Sequence, residues 1–203
     1  MPHYYKWWAN NPWCPTAESA AVFNVKDTEI LNAQIDAMTL SDGTGTDIGL
    51  LWGVKSLSPE WRGKLGGDFE NRPADYDDPE TMKIMVLMTD GGITAQFRPK
   101  SQHYDGLDDI DGNQQTIVAR GNFYSANTDN NAYGRQKKLC EELEQNGVKV
   151  FTIGFKINAS SQAAMQMAEC AVNGGNYYLV DSLDISQAFE SISASISNLR
   201  VSG

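Results

Sequence analysis

The chain has 203 residues, 41% of them hydrophobic and 10% aromatic, enough to bury one ordinary core, and it reads as one domain or slightly more. A formal net charge of -10 argues against nucleic-acid backbones and anionic membrane surfaces as partners, and in favour of cations or basic surfaces. No apolar run approaches about 18 residues, and two histidines with three irregularly spaced cysteines argue against a zinc cluster.

Residues 1–26 read as an irregular amino-terminal segment in which "SAAVFNV" is a candidate short strand. The opening "MPHYYKWWANNPWCP" breaks its aromatics with Pro and Asn and lacks the smooth apolar core of a signal peptide. The run "YYKWW" at 4–8 is either a partner-binding patch or a surface that packs on further chain. Asp27 or Thr28 caps a predicted helix with Ile30, Leu31, Ile35 and Met38 on one face, ending near "SDGTGT". "DIGLLWGVKSLSP" predicts a second helix that turns Ile48, Leu51, Trp52 and Leu57 toward the core and stops at Pro59. Residues 60–80, rich in Gly, Asp and Pro, read as a loop.

"KIMVLMTDGG" at 83–92 predicts a buried strand over 82–89 that ends by presenting the carboxylate of Asp90. A second long loop covers 91–131. Within it "YDGLDDIDGN" superficially resembles a calcium loop. Placing Asp109, Asp111 and Gly112 at loop positions three, five and six puts Leu107 and Val118 at the two ends, where carboxylates are needed. It reads as a solvated acidic insertion or a weak cation site.

From Ala132 the pattern is regular. A helix through "RQKKLCEELEQN" stops at Gly147, and the strand "VKVFTIGF" fills 148–155. A short helix over "SSQAAMQMAECA" leads to the strand "NYYLVD". A last helix runs from about Asp184 to Leu199, with Ile185, Phe189, Ile192 and Ile196 inward and Asp184 as its cap. This order predicts a parallel sheet covered by helices on both faces. Ligands gather at the carboxyl ends of such strands, where Asp90 stands, although an Asp before Gly often does no more than cap a turn. Trp52, Trp61, Phe151, Phe155, Tyr177, Tyr178 and Phe189 read as core and edge packing in preference to a ligand cage.

Taken together, "DGTGTDIGLLWGVKSLSP", "KIMVLMTDGG", "GVKVFTIGF" and "YYLVDSLDISQAFESISASISNLR" resemble the von Willebrand factor A domain. More narrowly, they resemble the carboxyl half of TadG-type proteins of tight-adherence (Flp) pilus systems. The likeness covers roughly residues 25–203 as an ordered set of motifs. It implies a three-layer, doubly wound, mostly parallel sheet over 27–203, whose first strand and D-x-S-x-S metal motif fall upstream of Met1. In that family a top-edge cation, usually Mg²⁺, takes ligands from D-x-S-x-S, a middle-loop Thr and an Asp after the fourth strand. The resemblance assigns the last two roles to Thr44 and Asp90, with Thr46 as the weaker alternative, and implies an incomplete site with weak Mg²⁺ binding. "DISQA" at 184–188 and "DGTGT" at 42–46 only mimic the missing motif, the first as a helix cap and the second after a helical run. The resemblance also implies a disulfide between Cys140 and Cys170, leaving Cys14 free or paired upstream.

No G-x-S-x-G, P-loop or His beside a Cys is present, so no nucleophile, base and orienter can be assembled. The expected function is therefore a noncatalytic, extracytoplasmic binding or scaffolding domain in pilus assembly or anchoring. A protein partner, an upstream membrane anchor and self-association through an exposed sheet edge are expected with it. A metal-dependent hydrolase on the same layout, an adhesion module unrelated to pili and a structural remnant without metal are the alternatives.

Overall fold

In β1 (Ile84–Thr89), Met85, Leu87 and Thr89 are buried while Val86 and Met88 point out, the period-two pattern of a strand covered on one face only. The computed structural model describes residues 20–38, 44–67, 70–93, 97–99, 115–117, 132–171, 176–181 and 185–201. β1 lies parallel to β4 (Lys149–Phe155), with Ile84 opposite Lys149 and Thr89 opposite Gly154. β5 (Tyr177–Val180) continues the sheet in parallel on the far side, giving the order β1-β4-β5. As the middle strand, β4 is buried from Val150 to Gly154 without alternation, because helices cover both of its faces.

Three helices take one face: α2 (Thr46–Leu57), α3 (Ala132–Gln145) and α4 (Gln162–Cys170). Their Leu50, Val54, Leu143 and Met167 close on Met85, Leu87 and Val150. α5 (Ile185–Val201) takes the other, packing Ala188 and Ile192 on Phe151 and Ile153. The chain is thus mixed α/β, a small parallel sheet between helical layers.

Local chemistry sets the helix ends. Gly147 adopts φ +71°. There the Val148 N–H donates to Leu143 O and the Gly147 N–H to Glu144 O, the paired bonds of a left-handed helix stop. The Ser161 hydroxyl accepts from the Ala164 N–H and opens α4. A disulfide joins Cys140 of α3 to Cys170 of α4 with their Cα atoms 5.2 Å apart. Closing a loop of 30 residues contributes roughly 3 to 4 kcal/mol in the chain-entropy picture. Lys83, buried at the start of β1, donates from Nζ to Leu57 O and Ala74 O at 2.6 Å each, with the Tyr76 ring 3.9 Å away. Burial pushes its ammonium below the usual lysine range while Asp75 opposes the shift.

The structure departs from the sequence reading in identifiable places. α1 (Thr28–Ala37) starts at Asp27, whose carboxylate accepts from the Glu29 N–H. However, Ile30, Ile35 and Met38 remain exposed and the helix buries no residue. Periodicity detected its amphipathic face but could not say whether anything covers it. α2 buries Leu50 and Val54, with Leu57 half-buried, and turns Ile48 and Trp52 outward. That helix is apolar nearly all round, so apolar spacing alone did not select a face.

Outside, Trp52 meets Phe23 and Trp61 at centroid distances of 6.0 and 6.1 Å, and Lys55 Nζ sits 4.7 and 4.9 Å over the two indoles. In α5, Ala188 takes the inward place expected of Phe189, which is exposed. A 3₁₀ turn at Pro59–Trp61 takes up the first residues of the expected 60–80 loop. Within 91–131, β2 (Phe97–Pro99) and β3 (Gln115–Ile117) form an antiparallel ribbon where only loop was expected. Residues 20–25 of "SAAVFNV" contain no strand. Cys14, Asp184, the aromatic run at 4–8 and the acidic stretch at 104–113 lie outside the described residues.

Among the described residues β1 is paired on its β4 side only. α5 packs on β4 and β5, which leaves Val86 and Met88 38% and 44% exposed beside the open edge. Unpaired backbone groups flanked by apolar side chains favour edge-to-edge association. The isolated chain is expected to sediment as dimers or larger species, and Val86→Lys with Met88→Lys should return it to monomer. Stability should change by less than about 1 kcal/mol, because both side chains are exposed. A monodisperse wild-type monomer at tens of micromolar would contradict this.

Candidate functional site

α2 runs antiparallel to β1. Its second half lies over the start of the strand: a Cβ added to Gly53 would meet Met85 Cε at 2.5 Å, and Leu57 O accepts from Lys83. The amino terminus of α2 therefore points toward the carboxyl end of β1, the end where parallel sheets collect ligands.

Asp90 emerges there, exposed, one residue beyond the strand. The turn that follows is held by its neighbour, since the Thr89 hydroxyl donates to Gly91 O at 2.9 Å and accepts from the Gly91 N–H at 3.3 Å. Asp90 makes no hydrogen bond or ion pair among the described residues, so capping does not consume its carboxylate. Thr44, half-buried, stands immediately before Gly45, the residue that opens α2. Thr46, the weaker candidate, is engaged elsewhere. Its hydroxyl donates to Gln136 Oε1 at 2.6 Å and bridges α2 to α3.

One residue on, Asp47 is 1% exposed and receives Arg135 Nε at 2.9 Å and Nη2 at 2.7 Å on a single carboxylate oxygen. These contacts clamp the opening turns of α2 and α3 together beside the Asp90 edge. Sequence reasoning did not single out Asp47, Arg135 or Gln136. Two signals were present: an acid inside the otherwise apolar "TDIGLLWG", and an arginine in the first turn of a helix, the end where the macrodipole disfavours cations. A cation there needs an acid from another element, and Asp47 supplies it.

A hydroxyl and an exposed carboxylate have the hardness a divalent cation wants. Two such donors leave most octahedral positions to water or to oxygens from elsewhere, and no group of three or more His, Cys, Asp or Glu side chains is placed to hold a metal ion among the described residues. By themselves these residues fit a shared or partial cation site and do not fit a closed one. Asp47 is left out of this donor set, because it is buried and paired with Arg135.

No protein-family model matches the chain, and no curated protein matches it. A solved structure similar to it is the pilus adhesin SpaC from Lactobacillus rhamnosus GG, at 17% identity and a TM-score of 0.49. The alignment covers 83% of this chain and 20% of the adhesin. The chain thus spans a fifth of that distant neighbour's length, and a likeness of this depth carries no argument about its role.

Arg135→Met leaves Asp47 buried without its cation. Since the arginine side chain is 25% exposed and the aspartate 1%, the loss should fall at roughly 2 to 4 kcal/mol, below that of a fully enclosed pair. Adding Asp47→Asn should recover part of it. Urea unfolding of the two variants checks both statements, and equal stability of Arg135→Met and wild type would show that the pair does not anchor the two helices.

Proposed function

We propose that the chain is a noncatalytic, extracytoplasmic binding or scaffolding domain of von Willebrand factor A type, similar to TadG, acting in the assembly or anchoring of a tight-adherence pilus. The observation that carries this reading is the Asp90 carboxylate, unengaged among the described residues, at the carboxyl end of β1, where the amino terminus of α2 brings Thr44 to the same end of the sheet. The order of the motifs supports it, as does a parallel sheet with helices on both faces. The Cys140–Cys170 disulfide supports an oxidising compartment. No helix among the described residues is long and apolar enough to cross a membrane.

Asp90 and Thr44 would hold part of a divalent cation's coordination shell, Asp90 giving a charged oxygen and Thr44 a neutral one. The ion would supply a Lewis-acid centre that a partner carboxylate completes, linking two proteins through shared ligation. The Asp47–Arg135 clamp keeps the α2 end in place without competing for the ion.

Calorimetric titration of the chain with Mg²⁺ is the test. Binding should be weak, with a dissociation constant of about millimolar or above, because solvent would fill most positions. Asp90→Ala should remove it and leave the sheet folded. A low-micromolar constant lost in both Thr44→Ala and Asp90→Ala would show that the chain closes the site by itself. Turnover of a phosphate or carboxylic ester with Mg²⁺ or Mn²⁺, abolished by Asp90→Ala, would replace the binding reading with a metal-dependent hydrolase.

A further inference from the structure

α3 and α4 are joined by a buried disulfide and leave a depression between them. An open groove of about 370 Å³ runs between the two helices with Cys140 and Cys170 in its lining. One wall is a single stripe of α3, carrying Tyr133, Lys137, Glu141 and Glu144, and the other carries Gln166 and Glu169 of α4. From 133 to 144 the stripe is roughly 16 Å long, room for about five residues of extended chain.

The polar groups in this groove are unevenly satisfied. Three carboxylates stand against one ammonium. Glu141 and Glu144 are exposed and make no ion pair among the described residues. Glu169 accepts a hydrogen bond from the Tyr133 hydroxyl. Burial, then that bond and the charge of Glu169, push the Tyr133 hydroxyl up to about 12, so it stays a donor at any ordinary pH. Gln166 is one of two buried exceptions among the described residues, the other being the Tyr177 hydroxyl, which does not line this groove. Gln166 is 4% exposed, lines the groove, and its amide Nε2 has no hydrogen-bond partner among the described residues. A buried N–H without an acceptor opposes folding and marks a place where an acceptor belongs.

Acids that attract a cation and an amide that lacks a carbonyl narrow the ligand class. A bare divalent ion answers the carboxylates but cannot accept from an N–H, and a neutral peptide answers the amide but leaves the carboxylates to water. We propose that the groove between α3 and α4 binds a short extended peptide segment bearing lysine or arginine, its cationic side chains meeting Glu141, Glu144 and Glu169 and a backbone carbonyl accepting from Gln166 Nε2. The site includes neither Thr44 nor Asp90, although Gln136 in its lining also bonds Thr46 beside that edge, and it stands whether or not the edge holds a metal. The chain's net charge of -10 draws the same class of partner from a distance.

The probes are two fluorophore-labelled, end-capped pentapeptides, Lys-Ala-Lys-Ala-Lys and Glu-Ala-Glu-Ala-Glu, titrated against the whole oxidised chain at low salt and read by anisotropy. The lysine peptide should bind saturably and the glutamate peptide should not, with binding falling as salt rises. Glu141→Gln with Glu144→Gln should weaken it about tenfold, and Lys137→Gln should tighten it about twofold. Gln166→Met should weaken binding severalfold while raising the melting temperature, a split that a merely structural glutamine would not give. Amide shift mapping on the wild-type chain needs no variant and should centre on 133–144 and 166–170. Equal binding of the two peptides, no saturation at about 1 mM, shifts centred elsewhere, or unchanged affinity in Gln166→Met would each overturn the proposal.

Discussion

A carboxylate as buried as Asp47 needs compensation in a folded chain, and Arg135 supplies a cation to it through two N–H groups. That requirement fixes where α2 can sit. It ties the opening turn of α2 to the opening turn of α3, with Thr46 and Gln136 adding a second bond alongside. At the other end of α2, Lys83 reaches Leu57 O and holds the helix to the start of β1. Pinned at both ends, α2 presents Leu50 and Val54 to Met85 and Leu87. Its amino terminus then stands toward Asp90. The arrangement at the sheet edge depends on these two polar contacts, since the apolar surface of α2 would pack in more than one rotation.

The parts of the fold legible in the sequence were those where one local rule dominates. Gly147 after a helix of charged and apolar residues and the unbroken run "VFTIG" in β4 each have a single strong local reading, and the cap was narrowed to Asp27 or Thr28, of which the structure uses Asp27. The rotation of α2, the bare face of α1 and the exchange of Phe189 for Ala188 were not legible, because each depends on what a distant element offers. β1 shows the same limit. "IMVLM" is apolar throughout, so the sequence could not say that α5 would leave Val86 and Met88 uncovered. At the candidate site, Asp90 was legible from its place at a strand end. Asp47 and Arg135, 88 residues apart in the chain, became a pair only once α2 and α3 were set side by side.

The two surfaces of interest use charge differently. At the sheet edge a single exposed carboxylate and a hydroxyl offer too few oxygens to enclose an ion, a poor store for metal but a workable half of a shared site. Between α3 and α4 the carboxylates are spread along a helix stripe, over a disulfide that prevents the two walls from separating. The strongly acidic composition suits both proposals, and neither calls for a catalytic residue.

The central claim is that a cation approaching this chain is held at the end of β1 and α2. The most direct measurement is paramagnetic broadening of amide resonances by substoichiometric Mn²⁺ in the isotope-labelled chain, which reports proximity even when binding is weak. Broadening should centre on residues 44–47 and 89–92 and vanish from both segments in Asp90→Ala. Broadening centred on the Glu141, Glu144 and Glu169 carboxylates, or anywhere else with those two segments untouched, would contradict the account.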